Sequence, residues 1–365
     1  MSKIRFLAAS VFLGLGFAGA SCAQDHRPDA PLDENGRKQV IASLSRQLEA
    51  NYVFPDVAKR LSAALDDKLG KGGYANDTTA RAFGDDVSRD LRAWGKDGHF
   101  MVGYDPDFHA PANPEAVPGK AELDQQRQEV ANMGFGIQRV ERLPGNVGYL
   151  EVRGFGPAEM VSPAFASAMK LLSGTDALIL DLRRNNGGEP DSVAFLLSHF
   201  FAEGDLRHLN DIYMRRDDST RQYWTQPGVG THYARPVYVL TSARTFSGGE
   251  ECAYDLQTQK RATLVGETTG GGANPGDPVE LGHGFAAFIP NGRSINPVTH
   301  TNWEHVGVKP DIAVPAPQAQ QTAYVAILRK LLADAKEPEI RDDLAHVLAN
   351  AEKGVADPPV YTMRK

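Results

Sequence analysis

The chain has 365 residues, 41% of them hydrophobic, and 39 Lys and Arg stand against 46 Asp and Glu for a formal charge of −7. Such a length is ample for a large core with a smaller domain beside it. The acidic balance argues against a nucleic-acid partner.

Lys3 and Arg5 open the chain ahead of an apolar run, 6–20, too short for a comfortable membrane span, and small residues follow it. Residues 1–23 therefore read as a secretory signal peptide, with Ser21 and Ala23 at the −3 and −1 sites of a cut before Gln24. A lipoprotein anchored through Cys22 is the alternative, but Gly19 stands where such a signal prefers leucine. The expected product is exported, periplasmic or secreted, and the loss of Lys3 and Arg5 with no acid takes its charge from −7 to −9. Cys252 is then the remaining cysteine, a small buried hydrophobe by its place in a helix, and no internal disulfide is expected despite an oxidising destination. No second apolar stretch could span a membrane, so no stable insertion is expected after processing, and there is no fixed-period repeat.

Residues 24–104 read as an N-terminal helical domain. Ile41, Leu44 and Leu48, then Val57, Leu61 and Leu65, then Phe83, Val87 and Leu91 recur at spacings of three or four. Pro55 with Asp56 fits a helix start, Gly70, Gly72 and Gly73 part the second helix from the third, and Gly95 ends the third. Residues 105–146, rich in proline, charge and glutamine up to 130, read as a surface connection. Over 147–316 apolar strand candidates at 147–152, 177–182, 237–241 and 262–265 alternate with helical stretches at 165–172, 192–201 and 247–259. This alternation predicts an α/β core with a largely parallel sheet and helical crossovers. Residues 317–365 carry two amphipathic helices, with Tyr324, Ile327, Leu328 and Leu331 on one and Ile340, Leu344 and Leu348 on the other, expected to pack on that core.

Four segments could carry chemistry. Thr245-Phe246-Ser247-Gly248-Gly249-Glu250-Glu251 follows an apolar run, 236–241, and reads as strand, tight turn and helix start. A serine there sits at the mouth of a sheet, beside free N–H groups of the helix's first turn. Ser247 with Glu250 is equally a capping box. In Asp181-Leu182-Arg183-Arg184-Asn185-Asn186-Gly187-Gly188 a buried strand runs into a polar turn whose glycines let backbone N–H groups approach a ligand oxygen, or merely satisfy a loop that needs positive φ. Asp181 and Arg183 are read as holding that turn rather than reacting. His99, in Lys96-Asp97-Gly98-His99-Phe100, stands beside a glycine turn ahead of a short strand, 100–102; it is a candidate base or a structural histidine. His305, beside Glu304, is a rival base, whereas His26, His109, His208 and His232 fall in loops. The fourth segment, Asn302-Trp303-Glu304-His305-Val306-Gly307-Val308-Lys309-Pro310-Asp311, would alone be a solvated turn before a strand. No His/Cys/Glu spacing matches a zinc site and no Gly-rich loop leads to a phosphate-binding lysine, so neither metal nor cofactor is expected.

Taken together and in this order, these segments resemble the tail-specific or C-terminal-processing serine protease family, which includes the tricorn protease core and the domains of interphotoreceptor retinoid-binding protein. The resemblance rests on "DLRRNNGG", "TSARTFSGGEE", "ATLVGETTGGG" and "WEHVGVKPDI", and in the helical part on "ANYVFPDVAKRL", "GGY" and "KDGHF". It implies a crotonase/ClpP-like spiral α/β core, with Ser247 as nucleophile and the N–H groups of Gly248, Gly187 and Gly188 as oxyanion hole. The Ser/Lys branch of the family carries a lysine within a "GEKTFGKG"-like stretch; residues 266–272 here have none, and Lys260 at a helix end is a poor substitute. The tricorn branch uses a histidine from the preceding domain and a glutamate in an "ENYGVAPD"-like segment, positions that His99 and Glu304 match. Where that branch has a second serine before its histidine, this chain has Gly98. The chemistry fits three roles, because a serine hydroxyl needs a base, histidine is partly ionised near neutrality, and a carboxylate fixes its tautomer.

The function expected from this resemblance is an exported serine endopeptidase acting on short peptides or unfolded polypeptide. Family members that read a substrate's C-terminus carry a PDZ domain between helical unit and core, and the gap from Tyr104 to Val147 is too short for one. The rival reading, motivated by Gly98 and the missing lysine, is a non-catalytic module binding a retinoid- or lipid-like ligand. An acyl-thioester enzyme of the wider fold rests on fold analogy alone.

Overall fold

The computed structural model describes residues 29–110 and 119–354; the expected signal peptide, 1–23, lies outside the described residues with Cys22 and His26. In chain order the elements are α1 (Glu34–Asn51), α2 (Pro55–Gly70), α3 (Ala80–Gly95), β1 (Met101–Tyr104), α4 (Lys120–Asn132), β2 (Ile137–Leu143) and β3 (Val147–Val152). They continue as α5 (Ala158–Leu172), β4 (Ala177–Asp181), α6 (Pro190–Ser198), β5 (His208–Met214), β6 (Ser219–Trp224), β7 (Val237–Thr241) and α7 (Gly248–Thr258). The last are β8 (Thr263–Gly266), β9 (Gly276–Gly282), β10 (Phe285–Pro290), β11 (Gly292–Ile295), β12 (Ile312–Ala313), α8 (Ala316–Asp334) and α9 (Pro338–Glu352). No described helix is long and apolar enough to cross a membrane.

Two compact units share this chain. The described residues of the first fall in Met1–Gln126, Leu209–Tyr223 and Gly271–Val306, and those of the second in Arg127–His208, Trp224–Gly270 and Gly307–Lys365. The three N-terminal helices start as their sequence signals dictate. Asp33 caps α1 by accepting the Gly36 N–H at 2.7 Å, Pro55 opens α2, and Thr79 caps α3. The left-handed residue after α3 is Lys96, with φ 53°. Ile41, Leu44, Leu48, Leu61, Leu65, Phe83, Val87 and Leu91 are all buried, and Val57 is half-buried against them. Each such side chain contributes about 1.5–3 kcal/mol on burial.

The helices do not close this core alone. β10 offers Phe285, Ala287 and Ile289 from alternate positions to the same cluster, and Phe83 meets Phe285 edge-on at 5.7 Å. β10 lies between β1 and β9 in an antiparallel sheet, with Val102 opposite Ala287. A second small sheet runs β11-β5-β6. The sequence reading drew the core as one run, 147–316; the structure interrupts it, because 209–223 and 271–306 pair and pack with the helical unit.

The second unit has the expected α/β architecture. Its six-stranded sheet runs β12-β8-β7-β4-β3-β2, and each pair is parallel except β2 with β3. Residues of β3 and β4 are buried along their whole length, which is why both read as apolar runs. The connection read at 105–146 contributes α4 and the antiparallel edge strand β2. Ala323, Ile327 and Leu328 of α8, with Leu344 and Val347 of α9, pack against Val147, Ile179, Leu240 and Val265 of the sheet. Ile340 is exposed.

Candidate active site

The second unit holds the serine. β7 ends at Thr241, and the turn after it is pinned to the end of β4: Thr245 Oγ1 donates to the Leu182 carbonyl at 2.8 Å and Ser242 Oγ to that of Arg183 at 2.6 Å. α7 begins immediately afterwards. Ser247 and Glu250 form the capping box, with the Glu250 carboxylate accepting the Ser247 backbone N–H at 2.9 Å. Helix caps ordinarily have extended backbone. Ser247 instead has φ 53° and ψ −124°, a region that L residues occupy only at a cost of about 1–3 kcal/mol. Capping alone does not call for that strain, whereas exposing a nucleophile on a sharp strand-to-helix turn does. The loop after β8 docks on this turn: Thr269 Oγ1 donates to Glu250 Oε1 at 2.5 Å and accepts the Val308 N–H at 2.7 Å, and the Gly270 N–H donates to Thr245 O at 3.0 Å. Cys252 is fully buried inside α7, and burial pushes its thiol well above the ordinary range.

Asn185 organises the neighbouring glycine turn from within the same unit. It is fully buried; its amide donates to the Val152 carbonyl at 3.0 Å, and its own carbonyl oxygen accepts the Phe246 N–H at 2.9 Å. Its side-chain oxygen accepts the Gly187 N–H at 2.8 Å. Gly187 therefore corrects the sequence reading, because its N–H is committed and is not an oxyanion donor. Its lack of a side chain is what matters: a Cβ there would lie 2.6 Å from the Ser247 Cβ, at φ 98°. Gly188 and Gly248 fit the donor role. A Cβ on Gly248 would lie 3.1 Å from the Gly188 nitrogen, so the two backbones are neighbours, and among the described residues no acceptor takes either N–H. Asp181 and Arg183 hold the turn as expected, through paired contacts of 2.6–3.1 Å, and Arg183 also donates to the Ala316 carbonyl at 2.8 Å. Next to the turn, burial and the charges of Glu159 and Asp191 push the Glu189 carboxyl up to about 7.

The first unit holds His99 and Glu304. The His99 side chain is 8% exposed, lies near-parallel to Phe288 at 6.1 Å, and directs Nδ1 to Asp97 Oδ1 at 3.4 Å. Asp97 is fully buried. Its Oδ1 accepts the His99 backbone N–H at 3.0 Å, and its Oδ2 accepts from Asn274 Nδ2 at 2.9 Å and from the Tyr52 hydroxyl at 3.3 Å. Burial pushes the Asp97 carboxyl up, but the His99 side chain and then the Asn274 amide outweigh it and hold it below the usual carboxylate range. Burial first and the Asp97 charge second raise the Tyr52 phenol, which stays a donor. Glu304 is positioned by its neighbours, with Oε2 accepting the Ala273 N–H at 2.5 Å while Trp303 Nε1 donates to Gly272 O at 2.7 Å.

One donor atom from each of Asp97, His99 and Glu304 lies within 4.8 Å of the others, close enough to hold a metal ion. Both Asp97 oxygens and one of Glu304 are already given to N–H and O–H donors, so the trio is better described as a hydrogen-bonded acid–base cluster. His305 is the weaker candidate base: its side chain is 48% exposed, with Nδ1 at 3.3 Å from Glu304 Oε1. Lys260 is exposed beyond the far end of α7, about 16 Å of helix from Ser247. Sequence reasoning missed Asn185, Asn274 and Tyr52, buried polar side chains whose partners come from remote segments; the paired asparagines ahead of Gly187 were the available signal for the first.

Residues 146–314 match the profile of Peptidase family S41. The chain is 29% identical over 185 residues to carboxyl-terminal-processing peptidase 2 of Arabidopsis thaliana chloroplasts, covering 48% of this chain and 35% of that protein. It is 28% identical over 197 residues to the carboxyl-terminal-processing protease of Synechocystis, covering 54% and 44%. The chain thus spans less than half the length of these relatives. Among solved structures, a candidate peptidase of Parabacteroides merdae superposes with a TM-score of 0.55 over 82% of this chain and 99% of that one, at 19% identity, a likeness of fold.

Proposed function

We propose, from the match of residues 146–314 to the profile of Peptidase family S41, that the protein is a serine endopeptidase hydrolysing peptides or unfolded polypeptide through an acyl-enzyme. The observation that carries the reading is the conformation of Ser247, a strained cap beside two backbone N–H groups that no acceptor takes among the described residues. In this reading Ser247 Oγ attacks the scissile carbonyl carbon while His99 takes its proton. The N–H groups of Gly188 and Gly248 receive the developing oxyanion, as two fixed donors whose alignment is set before the reaction. Collapse of the tetrahedral adduct breaks the C–N bond, and the imidazolium returns its proton to the leaving amine. Water, deprotonated by the same imidazole, then hydrolyses the ester and restores Ser247. Glu304 orients His99 and stabilises its cationic form. The signal-like segment at 1–23 supports an exported enzyme, and N-terminal sequencing of the secreted protein tests it by a start at Gln24.

Peptide release from unfolded casein, followed by mass spectrometry, tests the function. The parent should cut, and Ser247→Ala should lose cleavage while keeping its circular dichroism spectrum. Cleavage that survives in Ser247→Ala overturns the nucleophile. A folded parent that does not cut, and that yields an apolar molecule on denaturing extraction, overturns the enzyme in favour of the binding-module reading.

A further inference from the structure

The proposed machinery gives His99 one orienting carboxylate, Glu304, yet the side chain that faces its Nδ1 is Asp97, at 3.4 Å. The unremarkable explanation of Asp97 is an Asx turn, since its Oδ1 also accepts the His99 backbone N–H two residues on. Turn aspartates of that kind sit at the surface. Asp97 is fully buried, and its second oxygen is met by Tyr52, 45 residues earlier, and Asn274, 177 residues later. Burying a carboxylate costs several kcal/mol unless charge and hydrogen bonds compensate it. A local turn gives no reason to bear that cost.

We propose that Asp97, clamped by Asn274 and Tyr52, is a positioning residue for His99: it accepts the Nδ1 proton, fixes the imidazole's tautomer, and leaves Nε2 as the atom that exchanges protons in the reaction. This rests on His99 being the base. It reassigns the orienting role given to Glu304 above: Glu304 keeps that of stabilising the imidazolium, and Asp97 sets the tautomer and geometry. Contacts of this kind are commonly long in unliganded enzymes and tighten in the reacting complex.

The test reads the hydrogen bond directly. Full-length Ser247→Ala protein labelled with 15N-histidine, with His99→Gln to assign the signal, should show a downfield Nδ1–H proton of His99. That signal should persist in Glu304→Gln and vanish in Asp97→Asn. In the Ser247 parent, Asp97→Asn should lower kcat by about 10²–10⁴-fold with KM little changed, as expected when the wrong tautomer is populated. The proposal is overturned if Asp97→Asn keeps the signal, if its kcat stays within about threefold of the parent, or if Glu304→Gln is the variant that loses the signal. Should Asp97→Asn fail to fold, the double variant Tyr52→Phe, Asn274→Ala removes the clamp and leaves the carboxylate. Its kcat should fall at least about tenfold, and an unchanged kcat overturns the proposal. Parental activity in His99→Gln would instead refute the base itself, an outcome separable from the fate of the Nδ1–H signal.

Discussion

Glu189 shows how one buried acid beside the glycine turn at 187–188 imposes a pH dependence. Burial, then Glu159 and Asp191, raise its carboxyl to about 7 from an ordinary 4.5. Below about pH 4.5 the folded and unfolded chains both hold the proton and the side chain contributes no pH dependence. Between about 4.5 and 7 the unfolded chain releases a proton that the folded chain keeps, so stability falls as pH rises and levels off above that window. Glu189→Gln removes the effect. It should match the parent near pH 4 and exceed it by about 1–3 kcal/mol near pH 8 in urea unfolding. An equal difference at both pH values would sink the assignment. The residues of the proposed machinery were legible as candidates one at a time: Ser247, Gly248, Gly188, His99 and Glu304 stand in short segments whose chemistry can be named without coordinates. Gly187 was misread because its N–H partner, Asn185 Oδ1, is a side-chain orientation that spacing does not specify.

At the scale of elements, the turn that carries Ser247 is a junction of four segments rather than a free loop. The end of β4, the start of α7, the loop after β8 and the approach to β12 meet there, and Thr269 links the last three through Glu250 and the Val308 N–H. Glu250 is fully buried, so its carboxylate depends on those donors. Thr269→Val keeps the shape and removes the hydroxyl. It should cost about 1–3 kcal/mol in urea unfolding, the penalty of leaving buried polar partners unmet, and should lower kcat more than it changes KM because α7's first turn loses its brace. A variant with parental stability and kcat would show that the loop rests on Thr269 without depending on it. The helices here followed their caps and apolar spacing closely. The strands β5, β6, β9 and β11 went unread, since none of them carries the continuous apolar run that made β3 and β4 visible; β10 does carry one, from Phe285 to Ile289, and was overlooked.

For the whole molecule, net charge supports a prediction that no single residue could. With 46 acids against 39 bases, the chain lacks the cationic excess that releases counterions from a phosphate backbone. A mobility-shift titration with duplex DNA at about 0.15 M salt, where nonspecific affinities are typically 10⁻⁴–10⁻⁶ M, should show no complex at micromolar protein. A discrete complex would mean a concentrated basic face that the balance of charge hides. The division into two units is likewise a property of the whole. The chain visits the first unit three times, in Met1–Gln126, Leu209–Tyr223 and Gly271–Val306, so a linear reading of boundaries drew one continuous core where the structure has an interrupted one.

The sequence by itself determined the helical unit, the parallel sheet of the second unit, the strand–turn–helix that presents Ser247 and the glycine turn at 187–188, because caps, period and turn chemistry act over a few residues. Only the tertiary structure decided that β10 completes the helical core, that Asn185 Oδ1 takes the Gly187 N–H, and that Asp97 is a buried carboxylate held by Tyr52 and Asn274. Those outcomes depend on contacts between residues up to 177 positions apart. Strand pairing and the compensation of a buried charge leave no periodic trace along the chain, since each partner is ordinary in its own neighbourhood and acquires its role when folding brings the other to it.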